Sequence, residues 1–111
     1  DNVEVGSNAV VSNSVVFPDA TIGDGAVVRD CVVGENASIG PNVTIEGGEA
    51  DVVVDGAVHG GVRLGGVVGD NTRLGGGTTV SPGTVIGNHA RVESGTTLDG
   101  WIETDAVVRR G

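Results

Sequence analysis

Short aliphatic side chains recur along the chain at intervals of five or six residues. In the first half three successive intervals add to seventeen, and the positions are Val5, Val11, Val16, Ile22, Val28, Val33, Ile39 and Ile45. In the second half three intervals add to eighteen, and the positions are Val68, Leu74, Val80, Ile86, Val92 and Leu98. A sustained period of this kind indicates a repeat architecture.

The other positions of the six-residue unit predict its geometry. The fourth residue is commonly Gly, Asn or Asp, which tolerate the positive φ of a sharp corner. The fifth is small, usually Ala or Thr, because bulk there would not fit inside a narrow prism. Three strands and three corners close a triangle that rises by about 4.8 Å per coil. The pattern therefore predicts an all-β protein, a parallel β-helix of about six coils.

The period is interrupted once. We expect seventeen-residue coils over positions 1–46, an irregular break over 47–66 and eighteen-residue coils over 67–108, all within one domain. Breaks in a solenoid carry loops or binding sites, since the other residues are committed to stacking. The alternative is a change of coil length with nothing bound.

Amino-acid composition limits the cellular environment and the binding partners that we expect for this chain. The chain has 15 acidic residues against 6 Arg and no Lys, a net charge of −9, so nucleic acid and anionic membranes are not expected as partners. An acidic surface without Lys predicts a halophilic source. A single cysteine, Cys31, predicts a reducing, cytoplasmic setting without a disulfide. We expect Cys31 to occupy a corner and Trp101 to cap the open end of the prism.

Several units resemble a known family. VGENAS, IGPNVT, VGDNTR and IGNHAR are similar to the hexapeptide repeat of left-handed parallel β-helix proteins, which are mainly acyltransferases and sugar-nucleotide enzymes. The left hand of the predicted helix follows from this resemblance. The longer segments VVRDCVVGENASIGPNVTIEGGEADVVVDGAVH and VRLGGVVGDNTRLGGGTTVSPGT resemble the C-terminal domain of haloarchaeal sugar-1-phosphate nucleotidylyltransferases.

This resemblance implies a role for the chain. It would be the oligomerising and regulatory tail of an enzyme that makes nucleotide sugars from, for example, glucose 1-phosphate or N-acetylglucosamine 1-phosphate. The nucleotidyl-transfer domain and its Mg would lie upstream, outside this chain. Related β-helices also imply a homotrimer with sites between subunits. A purely structural spacer without a ligand is a further alternative.

A second activity is implied for the tail itself. Some relatives acetylate an amino-sugar 1-phosphate with acetyl-CoA, through a His followed by Tyr at +3, Asn at +14 and a Gly-x-Gly-Thr element that ends at +19. His59 and the element at residues 75–78 match this spacing, but Val62 and Arg73 replace Tyr and Asn. His59 is therefore the candidate general base of an acetyl-CoA-dependent acyltransferase.

Three arginines form a candidate ligand-binding column. Arg73, Arg91 and Arg109 recur at every eighteenth position, so regular coils would stack them on one face, about 4.8 Å apart. Such a column would bind the phosphates of a sugar phosphate or of coenzyme A, or be neutralised by neighbouring carboxylates. The two histidines, His59 and His89, are too few for a three-histidine zinc site, and no metal site is expected.

Overall fold

The computed structural model describes residues 2–45, 49–54, 57–63 and 66–109, with side chains over 2–45 and 66–109. These residues form eighteen strands. No helix occurs among them, so the described part of the chain offers no helical membrane span.

Sixteen of the strands stack as three parallel sheets, which form the faces of a prism. The first face contains β1 (Glu4–Val5), β4 (Thr21–Ile22), β7 (Ser38–Ile39), β12 (Arg73–Leu74), β15 (Arg91–Val92) and β18 (Val107–Val108). The second face contains β2 (Val10–Ser12), β5 (Val27–Arg29), β8 (Thr44–Ile45), β13 (Thr79–Val80) and β16 (Thr97–Leu98). The third face contains β3 (Val15–Val16), β6 (Cys31–Val33), β11 (Gly66–Val68), β14 (Thr84–Ile86) and β17 (Trp101–Ile102).

The chain visits the three faces in rotation, which makes it a parallel β-helix. Five coils are complete among the described residues, and β18 begins a sixth. The predicted fold class, a left-handed parallel β-helix of hexapeptide repeats, is confirmed.

The core is a column of aliphatic side chains along the axis of the prism. The repeating Val, Ile and Leu positions point inward and are buried from the second coil to the fifth: Ile22, Val28, Val33, Ile39, Ile45, Val68, Leu74, Val80, Ile86, Val92 and Leu98. Small residues after the corners of these coils are also buried, among them Ala20, Ala26, Ala37, Thr72, Thr78, Thr84, Ala90 and Thr96. Where the small residue is Thr78, Thr84 or Thr96, its hydroxyl donates to the carbonyl oxygen three residues earlier, at 2.7 Å. The polar hydroxyl is thereby satisfied inside the core.

Corner residues adopt the backbone conformation that the pattern predicts. The Asn, Asp, Gly and His residues at the corners have φ between +49° and +83°. Some corner side chains also join neighbouring coils. The amide Nδ2 of Asn36 donates to Oδ1 of Asn71 at 2.7 Å, and Nδ2 of Asn13 donates to Oδ1 of Asp30 at 2.6 Å.

Among the coils that the structure describes, only one of the three corners varies in length. In each strand we call the residue directly before the inward aliphatic one, which points away from the core, its outward residue. Its spacing is always six residues across the first corner, from the first face to the second, and across the third corner, from the third face to the next coil. Across the second corner it is five residues in the first two coils, six in the fourth (Thr79 to Val85) and four in the fifth (Thr97 to Trp101).

The short corner in the fifth coil breaks the predicted column of three arginines. Arg91 pairs with Val107, so the last coil is sixteen residues long rather than the expected eighteen. Only Asp99 and Gly100 separate β16 from β17, and Gly100 makes the turn with φ +83°. Arg109 therefore lies two residues beyond the position that stacks on Arg91.

The predicted break contains an antiparallel hairpin inserted at the second corner of the third coil. Its strands are β9 (Glu49–Val54) and β10 (Ala57–Arg63), with an irregularity in pairing between His59 and Val62. On either side of the hairpin, β8 and β11 keep their places in the second and third faces. The stacking of coils therefore continues past the insertion.

Two expected positions were wrong. Cys31 is not at a corner: Asp30 takes the corner conformation, with φ 53°, and Cys31 is the buried first residue of β6. Trp101 does not cap the prism. The short corner places it in register with Val85, where it points outward on the third face with 75% of its surface exposed.

Close stacking of the coils leaves no room for a side chain at certain glycines. A Cβ on Gly69 would lie 2.6 Å from the carbonyl carbon of Gly87 in the next coil. We expect Gly69→Ala to lower the free energy of unfolding by about 2 kcal/mol, because two hydrogen-bonded coils must separate. Denaturant titration measures this loss.

The matched control is Gly77→Asn. Gly77 has φ +72° and open space around its Cβ position, and Asn42 fills the equivalent corner one coil earlier. The control should therefore change stability by less than about 0.5 kcal/mol. Equal losses in the two variants would contradict the packing argument.

The Cys31 thiol should be unreactive in the folded protein. Its side chain is 2% exposed, and burial raises its pKa to about 12, although the carbonyl of Arg29 accepts its S–H at 2.9 Å. The thiol therefore stays protonated at about pH 8, where an exposed cysteine is partly ionised. We expect alkylation at least about tenfold slower than in guanidinium. Equal rates before and after unfolding would refute the buried position.

Candidate functional site

The third face carries an apolar column on its outer surface. Its outward residues, one from each coil, are in register, and we call them the apolar column: Val15, Val32, Val67, Val85 and Trp101. Val15 is 55% exposed and Trp101 75% exposed, while the other three are half-buried. No position of the column is charged, in a chain whose net charge is −9.

The first face is mostly polar on its outer surface and carries two adjacent arginines. From the first strand to the last, its outward residues are Glu4, Thr21, Ser38, Arg73, Arg91 and Val107. Arg73 and Arg91 are direct partners on β12 and β15, and both are exposed. We call them the arginine pair. The structure thus brings together two of the three predicted arginines and leaves out Arg109.

The Gly-Thr element at residues 75–78 forms the first corner of the fourth coil. Gly77 has φ +72°, and the buried Thr78 donates its hydroxyl to the carbonyl of Gly75 at 2.7 Å. Thr84 and Thr96 make the same bond at other corners. The element therefore has the corner geometry that other units of the repeat also have.

His59 lies in the hairpin inserted at the second corner of the third coil, whereas the Gly-Thr element forms the first corner of the fourth coil. Its backbone in β10 pairs with Val52, and its side chain lies outside the described part of the structure. Arg73, which stands at the Asn position of the acetyltransferase motif, points outward on the first face. The residues that match the motif therefore belong to separate elements of the fold.

The described residues contain no group of three or more His, Cys, Asp or Glu side chains placed to hold a metal ion. His89 occupies the third corner with φ 61° and is exposed, and its backbone N–H donates to the carbonyl of Asp70. Its surroundings are those of a surface corner residue.

The apolar column was missed by the sequence analysis, although a signal for it exists. Each outward residue of the third face immediately precedes an inward aliphatic one, which leaves the doublets Val15-Val16, Val32-Val33, Val67-Val68, Val85-Ile86 and Trp101-Ile102. A repeat analysis that scored the residue before each inward position would have found one apolar face.

Several solved structures with the same fold are those of acyltransferases. The acetyltransferase domain of PglB from Neisseria gonorrhoeae has a TM-score of 0.62 at 18% identity, over 98% of this chain and 52% of that one. A variant of perosamine N-acetyltransferase from Caulobacter crescentus, in complex with CoA and GDP-perosamine, has a TM-score of 0.61 at 24% identity, over 98% and 48%. This chain spans about half the length of both proteins.

A third structure is matched over more of its length. A variant of AntD, an N-acyltransferase from Bacillus cereus in complex with dTDP-4-amino-4,6-dideoxyglucose and coenzyme A, has a TM-score of 0.67 at 10% identity, over 98% of this chain and 79% of that one. At these identities the likeness is one of fold. No curated protein matches the chain in sequence.

Family models account for most of the chain. Residues 65–100 match the bacterial transferase hexapeptide family, described as six repeats. Residues 1–64, more than half of the chain, match the model of the GMPPB C-terminal domain. With the stacked hexapeptide coils described above, this match shows that the chain belongs to the GMPPB C-terminal domain family.

Proposed function

We propose that this chain is the oligomerising and regulatory C-terminal domain of a sugar-1-phosphate nucleotidylyltransferase. The family match over residues 1–64 carries this proposal. The whole enzyme would transfer a nucleotidyl group to a sugar 1-phosphate, such as glucose 1-phosphate or N-acetylglucosamine 1-phosphate. That reaction and its Mg would belong to a domain outside this sequence. A haloarchaeal source is part of the proposal and rests on the composition.

The apolar column supports the oligomerising role. Its five outward residues rise about 19 Å along the prism, without a charge to hold water at the surface. Phe17, 45% exposed, lies directly after β3 and extends the apolar surface. Contiguous apolar surface of this kind marks a protein interface. We assign it to other copies of this chain in a homotrimer, following the family resemblance.

A stable interface buries roughly 800 Å² per partner, more than one column of side chains offers. The second face can supply part of the rest, because the outward residues of its stacked column are also uncharged: Val10, Val27, Thr44, Thr79 and Thr97. Its one charge within a strand is the exposed Arg29 at the end of β5. Two adjacent faces with uncharged columns suit a ring of subunits, in which each copy presents two different surfaces.

A charge on the apolar column should dissociate the assembly. Val85→Asp places a carboxylate at its half-buried fourth position, where packing against another copy would strip it of water. We expect sedimentation to give three times the 11.0 kDa chain mass for the unmodified protein and the monomer mass for the variant.

Thr79→Asp is the matched control for this experiment. Thr79 is also half-buried and outward, in the same coil but on the second face. This control distinguishes the contribution of the second face from that of the apolar column. If the apolar column is central to the interface, Thr79→Asp dissociates the trimer less than Val85→Asp does. A monomeric unmodified protein, or a trimer that Val85→Asp leaves intact, would overturn the assignment.

An acetyl-CoA-dependent acyltransferase acting on an amino-sugar 1-phosphate is the second candidate. The spacing between His59 and the Gly-Thr element favours it, and coenzyme A is bound in the solved perosamine N-acetyltransferase and AntD structures. In this reaction His59 would take a proton from the attacking amine. The amine nitrogen would then bond to the acetyl carbon, and the CoA thiolate would leave.

Thiol release from acetyl-CoA tests this candidate, with glucosamine 1-phosphate and galactosamine 1-phosphate as acceptors in high salt. If the domain is an acetyltransferase, His59→Ala should lower turnover by at least about a hundredfold, as expected on removal of a general base. His89→Ala is the control and should retain the rate, because His89 is a corner residue. Absence of turnover in folded protein would reject this candidate and leave the oligomerising domain or a plain spacer.

A further inference from the structure

The arginine pair is a concentration of positive charge on an acidic protein. Arg73 and Arg91 are hydrogen-bonded neighbours on parallel strands, so their side chains leave the first face about 4.8 Å apart at the backbone. Each is preceded by a small inward residue, Thr72 or Ala90, and neither arginine is covered by the fold. Two of the six positively charged side chains of the chain therefore extend side by side from the outer surface of the first face.

Among the described residues, neither guanidinium of this pair forms a salt bridge with a carboxylate. The next outward residues of the face are Ser38 below Arg73 and Val107 above Arg91. Asp70, near the adjacent corner, accepts a hydrogen bond from the backbone N–H of Glu35 at 2.8 Å. The outward positions next to the pair in its column therefore carry no negative charge.

Like charges directly opposite each other on neighbouring strands destabilise a sheet. The fold does not require arginine at these positions, because Thr21 and Ser38 occupy the same column in earlier coils. An anion between the two guanidinium groups would turn the repulsion into attraction. Arginine is also suited to such a role, since its planar fork binds phosphate oxygens in pairs.

We propose that the arginine pair binds a diphosphate group. A diphosphate presents oxygens on two linked phosphorus atoms, so Arg73 and Arg91 can each bind one phosphate. Ser38, directly below Arg73 in the column, adds a hydroxyl donor. The same chemistry occurs in a nucleotide sugar and in coenzyme A. The site is separate from the apolar column and does not depend on the proposed enzyme activity.

Calorimetric titration with inorganic pyrophosphate tests the site, with sodium chloride at matched ionic strength. We expect Arg73→Gln and Arg91→Gln each to raise the dissociation constant about tenfold, because each removes charge-assisted hydrogen bonds. Arg29→Gln is the matched control. It removes the same charge from an exposed arginine on the second face, and it should leave binding unchanged.

Thermal unfolding supplies a second readout that a merely structural arginine would not give. Without ligand, Arg73→Gln should melt at a higher temperature than the unmodified protein, because the repulsion is relieved. With pyrophosphate the order should reverse, because the unmodified protein binds it more tightly and therefore gains more stability. UDP-glucose and coenzyme A, titrated separately, identify which source of diphosphate the site prefers.

The proposal fails if pyrophosphate, UDP-glucose and coenzyme A all leave the unmodified protein without heat of binding or change in melting temperature. It also fails if binding persists at equal strength in both Arg73→Gln and Arg91→Gln. Because every readout is binding or stability, loss of the proposed enzyme role would not affect the result.

Discussion

The hydrogen bonds between equivalent backbone positions of successive coils are the constraint on which this structure depends. Gly34 N–H donates to the carbonyl of Val68 at 2.7 Å, and Gly69 N–H to that of Ile86 at 2.8 Å, so each coil is the template for the next. Such bonds persist only if the corners of successive coils lie directly above one another, in register. Positive φ at the corners, small residues inside them and the close approach at Gly69 all follow from this one requirement.

Outward side chains are free of that requirement, but the same register stacks them into columns. A substitution in one coil is therefore placed directly beside its equivalents in the coils above and below, at one strand spacing. The three faces differ accordingly: the column of the third is apolar, the column of the second is uncharged, and the column of the first holds the arginine pair. Proteins that share this fold can differ in chemistry mainly through the side chains of such columns, because the core and corner residues are required for stacking of the coils.

The sequence predicted the parts of the structure that depend on local pattern. The inward position of Ile39 and the corner at Asn42 follow from a six-residue period and from the few residue types that tolerate positive φ. It did not predict the placement of Trp101 and Arg109. A corner shortened by two residues leaves no clear mark in composition, yet it shifts the register of every later residue. Within the candidate site, the pairing of Arg73 with Arg91 followed from spacing because no corner between them departs from six residues.

Variation in coil length is confined to the second corner, which spans four, five or six residues and in one coil accepts a whole hairpin. The other two corners never change among the described coils. The stack consequently has one edge along which segments can be gained or lost without disturbing the two remaining edges. Over evolution, that edge gives the family a place to acquire new loops one coil at a time. For protein engineering, it marks the position at which a foreign peptide could be grafted and displayed while β8 and β11 continue to stack.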